Sequence, residues 1–382
     1  MQAARALAYG LGSVLIGVTL AERGLSDGAV GLVFASLLAG SALVSVLIAR
    51  HGDQIGRRRC YRLLLVAMAI SGTVFALTGW LPALVLVGLS GTVSTEVVES
   101  GPFTSLEQAM LPHAGGETTR LFGTYNTVAT LAGSLGALIA LISTSHYGML
   151  AYPLAAAAGL LATAGLSPAV EVGHELSEEP RPPLHRSRGI VAKLSALFAL
   201  DSFAGGFVPQ AFIAYLFVRK YDASPQTLAI VFFAIGILQA ASFQAAVRLA
   251  ARIGLLRTMV FTHLPSNLLL IAVAFAPNLA SAIALLLARF ALSQMDVPTR
   301  QAYVMAVVDP SERTAAAAYT NTARYLTRPI APLAAGTVLR VGLGAPFLIA
   351  GALKSVYDLG LYLTFRTVAV EGEHGREPAT AG

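Results

Sequence analysis

The sequence predicts an all-α membrane protein of twelve transmembrane helices in two six-helix bundles. Three observations carry this: apolar runs of membrane-spanning length, sparse charge, and one long polar break at mid-chain. The 382 residues are 55% hydrophobic and 12% charged. Soluble domains carry about 25% charged residues, so lipid is the main solvent. A helix crosses a bilayer with about twenty apolar residues. The predicted spans are residues 3–21, 29–48, 61–80, 83–104, 120–143, 147–167, 190–217, 226–247, 257–276, 279–299, 314–339 and 344–365. The connection 168–189 is rich in Pro, Glu and Arg and falls after the sixth span. It divides the chain into bundles at 1–167 and 190–366, with a polar tail at 367–382 predicted to be disordered.

The first span could pass for a signal peptide. Arg5 alone is a thin positive region, however, and no small-residue cleavage site follows, so a first membrane helix is expected. Cys60 is the single cysteine and excludes an intrachain disulfide. The net charge of +6 is scattered between apolar runs and forms no continuous stripe, so no nucleic-acid partner is expected.

Basic residues near helix ends set orientation. If the odd-numbered loops face outward, they hold Arg23, Arg219, Lys220 and Arg340. The even-numbered loops and termini then hold Arg5, Arg50, Arg57, Arg58, Arg59, Arg62, Arg120, Arg181, Arg186, Arg188, Arg248, Arg252, Arg257, Arg300, Arg313, Arg366 and Arg376. Seventeen against four puts both termini in the cytoplasm, and Trp80 and Tyr147 at outer helix ends.

The halves repeat weakly. Glu107-Gln108-Ala109 precedes Arg120 and then Tyr125-Asn126-Thr127, while Arg300-Gln301-Ala302 precedes Arg313 and then Thr320-Asn321-Thr322. Parallel repeats in a twelve-helix chain suggest a transporter whose halves rock about a midplane site. Chance similarity between alanine-rich helices is the alternative.

Nine charged residues fall inside the spans: Glu96, Glu99, Asp201, Arg289, Asp296, Arg324, Arg328, Lys354 and Asp358. Each would cost roughly 3 kcal/mol at mid-bilayer, or about 25 kcal/mol together, if it faced lipid. They must face one another, a water-filled cavity or the interface. Lys354 and Asp358, four apart on one helix, are expected to pair with each other. Carboxylates in such a cavity can exchange protons, which makes Asp201, Glu96 and Glu99 the candidates for coupling. Arg289, Arg324 and Arg328 stay charged and suit an anionic solute group, or neutralise the acids. A static ion-pair network between helices is the competing reading. Gly205, Gly206 and Pro209 interrupt the seventh span after Asp201, with Gln210 beside them; Pro298 follows Asp296, and Pro329 and Pro332 follow Arg328. Breaks beside charges mark cavity-lining backbone.

Between the second and third spans stands ARHGDQIGRRRCYR, residues 49–62. Asp53, Gly56, Arg57 and Arg58 in this loop resemble the signature loop of the major facilitator superfamily, G-x-x-x-D-x-x-G-R-K/R, although Ala49 replaces its first glycine. A degraded copy, RLAARIGLLR at 248–257, keeps Gly254 and Arg257. GPFTSLEQA (101–109) and SQMDVPTRQAYVMAVVDPSERTAAA (293–317) are similar to a bacterial branch of the superfamily. The resemblance implies a gating latch at Asp53 and Gly56, and a cavity lined by the first, fourth, seventh and tenth helices. Topology-setting charge is the plainer reading of the arginines, each worth on the order of 1 kcal/mol at an anionic leaflet. Glu107, Arg300, Arg313 and Asp309 are expected to couple the halves.

Gly133 and Gly136 lie in the fifth span without the Gly-Pro pair of many drug antiporters. No P-loop, metal-ligand cluster or nucleophile–base grouping occurs, so no cofactor, metal or enzymatic activity is expected. The expected function is proton-coupled movement of a small anionic or zwitterionic solute, by a monomer in a bacterial plasma membrane. A multidrug or metabolite exporter and a non-transporting membrane partner subunit are the alternatives.

Overall fold

The computed structural model describes residues 1–94, 101–110, 118–143, 145–165, 184–309 and 312–368, and no strand occurs among them. The first half contains α1 (Gln2–Glu22), α2 (Asp27–Ile55), α3 (Arg57–Leu77), α4 (Leu81–Leu89), α5 (Gly101–Met110), α6 (Thr118–Ile139), α7 (Ser145–Gly148) and α8 (Ala151–Ala162). The second contains α9 (Arg188–Gly205), α10 (Gln210–Tyr221), α11 (Pro225–Ile253), α12 (Leu255–Ala274), α13 (Leu279–Ser293), α14 (Asp296–Val307), α15 (Arg313–Thr327), α16 (Ile330–Leu333), α17 (Ala335–Val341) and α18 (Ala345–Phe365). Among the described residues, eight helical stretches are long and apolar enough to cross a membrane unaided. The seventh, tenth and eleventh spans are the interrupted pairs and triplet α9–α10, α13–α14 and α15–α17. The linker is described only from Leu184, and the tail only to Val368.

Side chains facing outward are apolar: Leu63, Leu77, Leu86, Ile142, Leu161 and Phe275 are all exposed, as are Trp80 and Tyr147. Such a surface suits the lipid contact of a membrane protein. Inside, small residues let helices approach closely, since lipid offers no hydrophobic drive for helix association. A Cβ on Gly10 would overlap the Gly133 carbonyl, and one on Gly136 would overlap the Leu7 carbonyl, so these three glycines set the approach of α1 and α6.

The twelve crossings bring α1's start and α18's end to one face, here the terminal face. On that face Gly56 connects α2 to α3 at φ 95°, and Gly254 connects α11 to α12 at φ 88°. Both hold the left-handed region that favours glycine, so the two halves turn the same corner by the same device. Arg62 Nε donates to Thr163 Oγ1 at 3.0 Å, and Arg58 Nη2 lies 3.4 Å from the Ala164 carbonyl, tying this loop to the end of α8. The side chain of Asp53 lies outside the described residues.

The expected continuous helix at 83–104 is not what the structure has. α4 ends at Leu89, and Gly91 turns the chain at φ 67°. The freed carbonyls are satisfied from neighbouring helices: Tyr9 Oη donates to Thr92 O at 2.9 Å and Tyr152 Oη to Ser94 O at 2.7 Å. Unwound backbone at membrane depth requires such partners. In the tenth span the break falls at Gln294–Met295, before Asp296, and Pro298 sits in the first turn of α14 where its missing N–H costs nothing.

On the opposite face, helix ends are capped by the loop cations. Arg23 Nη2 donates to Phe75 O at 2.7 Å, and Lys220 Nζ to Ala274 O at 2.8 Å. Each cation answers the negative end of a helix dipole. On the terminal face Glu312 caps the start of α9, accepting from the backbone amides of His185 (2.6 Å), Ser187 (2.8 Å) and Arg186 (3.0 Å). These amides, His185's foremost, lower its carboxyl from the ordinary 4.5 to about 2.

Both kinds of contact can be checked by melting. Gly10→Ala destabilises the purified protein by about 1–3 kcal/mol through overpacking, whereas Gly28→Ala, with open space around it, stays within about 0.5 kcal/mol; thermal melts in detergent compare them. A depressed carboxyl stabilises above its unfolded pKa and loses that contribution as pH falls toward its folded value. The melting difference between wild type and Glu312→Gln is therefore full at pH 7 and shrinks between about pH 4.5 and 2.

Candidate functional site

A cavity of about 230 Å³ lies between the halves. Its first-half wall is Gly10 and Ser13 of α1 with Thr130, Gly133, Ser134 and Ala137 of α6. The hydroxyls on this wall donate to their own helices: Ser13 to Gly10 O, Thr130 to Asn126 O and Ser134 to Thr130 O. They therefore present acceptor lone pairs to the cavity. The second-half wall carries the charge. Asp201, Gln210, Arg289, Asp296, Arg324 and Arg328, all singled out in the sequence, line it together, joined by His263, Arg300 and Lys354. Glu96 and Glu99 lie outside the described residues.

Toward the opposite face the halves close over this cavity. Gly17 of α1 packs against the Ala211 carbonyl and Tyr215 backbone of α10 so tightly that a Cβ would overlap them. Phe34 of α2 meets Phe212 of α10 with ring centroids 5.1 Å apart. Outside these, Asp27 accepts from Tyr215 Oη at 2.8 Å and pairs with Arg219 at 3.1 Å. Ser134 of α6 meets Gly236 of α11 equally closely.

The break after α9 gives the charged wall its shape. Gly206 sits against the Arg328 carbonyl with no room for a Cβ, and Val208 and Pro209 carry the chain to α10. Ser202 Oγ donates to Arg324 O at 2.8 Å and Thr327 Oγ1 to Ala199 O at 2.9 Å, which fix α15 against α9.

The pairing of charges differs from expectation. Lys354 bonds not to Asp358 but to Asp201, with Nζ 2.5 Å from Oδ1. Arg300 bridges Asp296 at 2.9 Å and Asp201 at 3.8 Å. Asp358 turns to α12, accepting from Asn267 Nδ2 at 2.7 Å and meeting His263 Nδ1 at 3.0 Å. Arg300 and Asp296 keep a pair four apart on one helix, whereas Lys354 and Asp358 give theirs up because Asp201 and Asp358, both buried, each need a counterpart and find it across helices. His263 and Asn267 carry no weight in the sequence analysis. Their signal is a polar cluster around Pro265, Thr262-His263 and Ser266-Asn267, inside a predicted span.

Glu107 does not couple the halves either. It lies buried within the first, accepting from Tyr61 Oη at 2.5 Å and bonded to Arg5 and Tyr125. Arg300 likewise belongs to the second-half cluster, and Asp309 faces Arg186 at 3.4 Å. The Arg313 side chain lies outside the described residues.

Among the described lining residues, the cations Arg289, Arg300, Arg324, Arg328 and Lys354 stand with the carboxylates Asp201 and Asp296 and with His263. Arg289 is 7% exposed, its guanidinium 4.6 Å from the Phe290 ring centroid. Its Nε and Nη1 are buried without hydrogen-bond partners, and each such donor costs about 1–3 kcal/mol.

The chain of pairs predicts a specific coupling. Lys354→Met leaves Asp201 short of its closest partner and destabilises by about 3 kcal/mol. Adding Asp201→Asn restores part of that loss, so a double-mutant cycle on thermal melts returns a coupling of about 0.5–3 kcal/mol.

Known proteins share this architecture. The family model described as Major Facilitator Superfamily matches residues 1–332. An uncharacterized membrane protein of Saccharomyces cerevisiae is 25% identical over 409 residues, covering 94% of this chain and 91% of its own. Among solved structures, the nucleoside transporter NupG superposes with a TM-score of 0.75 at 16% identity, over 96% of this chain and 98% of its own. The xylose transporter XylE from E. coli, in an inward-open conformation, gives 0.73 at 14%, over 98% and 96%. The human organic anion transporter MFSD10 gives 0.63 at 18%, over 94% and 97%.

Proposed function

Because the chain belongs to the Major Facilitator Superfamily, we propose that it is a proton-coupled secondary transporter moving a small anionic or zwitterionic solute by alternating access. One observation carries the reading: a cavity between the halves onto which Arg289 turns two buried donors that have no hydrogen-bond partner, covered toward one face by cross-half contacts. A volume of about 230 Å³ is below the 300–1,000 Å³ typical of drug-sized ligands, which favours a small solute over a bulky one. Nucleosides, xylose and organic anions are the solutes of the superposed transporters and belong to those proteins; the unpartnered donors of Arg289 favour an anion here.

In this reading Asp201 is the proton-coupling group. Its carboxylate holds Lys354 and Arg300, and a proton there removes their counter-charge. Asp201 stands one turn before the Gly205–Pro209 break, and Lys354 of α18 lies beside Gly205, so loss of the pair loosens a hinge. Arg289, Arg324 and Arg328 face the solute, and Gln210 supplies an amide at the break. Asp27, Tyr215 and Arg219 form the gate on the covered face, opposite the Asp53 and Gly56 loop. The distribution of seventeen basic residues against four supports cytoplasmic termini, which makes the described state inward-facing; a bacterial plasma membrane is the location in this reading. A monomer is the working unit in this reading.

Purified protein in proteoliposomes tests the reading. Solute accumulation is expected to follow an imposed pH gradient and to vanish in Asp201→Asn, while solute exchange without a gradient survives in that variant. Flux indifferent to the gradient in wild type would make the protein a facilitated carrier and remove the proton from the mechanism.

A further inference from the structure

We propose that Arg289 and Ser293 form the anchor for the carboxylate of a small organic monoanion. The proposal rests on the transporter reading above and deepens it, choosing one subsite and one chemical class.

Arg289 and Ser293 stand four apart on α13, on one helical face, and both line the cavity. Both are more than nine-tenths buried. Arg289 Nε and Nη1 and Ser293 Oγ have no hydrogen-bond partner. Unpaired buried donors in a native protein call for a partner that arrives from elsewhere. Here they sit on the wall of a space large enough to admit one. The Phe290 ring supports the guanidinium, a cation–π contact that orients it without using its N–H groups. An arginine is also the side chain suited to a carboxylate, which it meets through charge-assisted hydrogen bonds.

The neighbours define the charge of the guest. Asp201 and Asp296 act on Arg289 through space and are themselves engaged by Lys354 and Arg300. A dianion would meet both carboxylates, whereas a monoanion replaces only what Arg289 lacks. Beyond the anchor, Phe232, Phe243 and Phe290 line the cavity and accept an apolar body. The acceptor oxygens of Ser13, Thr130 and Ser134 face it from the other half, which suits a hydroxyl or ammonium at the far end. Binding such a molecule engages both halves at once, a requirement for a solute that triggers their movement.

The test is a thermal-shift series on the purified full-length protein at pH 7, with lactate, benzoate, their neutral amides lactamide and benzamide, and methyl phosphate. The expected result is stabilisation by a carboxylate and none by its amide. Arg289→Gln weakens the carboxylate's apparent affinity about ten- to a hundredfold, and Ser293→Ala weakens it several-fold. Carboxylate shifts unchanged in both variants would overturn the anchor while leaving an anion transporter standing. Stabilisation only by methyl phosphate would overturn the monocarboxylate class. Stabilisation by neutral solutes with no response to any anion would bring down the anionic reading as well. If Arg289→Gln gives no cooperative melt, Ser293→Ala decides alone: an affinity loss sustains the proposal and an unchanged affinity overturns it.

Discussion

Charge in a low-dielectric medium must be compensated, and most of this architecture is arranged around that requirement. An uncompensated ion inside the bundle costs several kcal/mol even after relaxation. The second half answers with a chain of pairs, Lys354–Asp201–Arg300–Asp296, and a separate Asp358–His263–Asn267 group. The first half answers with Arg5, Glu107, Tyr61 and Tyr125. These groups join helices far apart in sequence: α1 to α5, α9 to α18, α12 to α18. Beside the second-half chain, Arg289, whose Nε and Nη1 have no hydrogen-bond partner, faces the cavity.

Backbone follows the same rule as side chains. Where helices unwind, at Ser90–Ser94 and between Gly205 and Gln210, the freed groups meet hydroxyls or neighbouring turns. Three of the four basic residues on the sparsely charged face have comparable roles. Arg23 and Lys220 cap the ends of α3 and α12, and Arg219 joins Asp27 across the halves. They depart from the charge asymmetry of the loops because local carbonyls and a carboxylate hold them there. The equivalent use of Arg23 on α3 and Lys220 on α12, and of Gly56 and Gly254 at the preceding turns, shows two halves built to one plan.

Legibility varies with the range of the interaction. The break after Asp201 is readable because Gly205, Gly206 and Pro209 act on the backbone locally. The unwinding near Gly91 is not, since it depends on Tyr9 and Tyr152 reaching Thr92 and Ser94 from helices distant in sequence. The cavity candidates Asp201, Gln210, Arg289, Asp296, Arg324 and Arg328 stand out as polar groups in apolar runs and come together on one wall. Their partners do not stand out. Lys354 and Asp358 invite a local pair by spacing, and Glu107 and Arg300 invite a bridge between halves by their matching positions in the repeat.

The sequence by itself determined the solvent, the number of crossings, the central division and which side chains could not face lipid, because each depends on composition and on the length of a run. Tertiary structure decided which charge meets which, where the halves touch and which arginine remains open to a guest. Those outcomes depend on helix rotation and on distances of a few ångströms between segments far apart in the chain, as between Asp27 and Arg219, 192 residues apart. Periodicity along one helix carries no information about such separations, because electrostatic energy in a bilayer is settled by the nearest opposite charge in space.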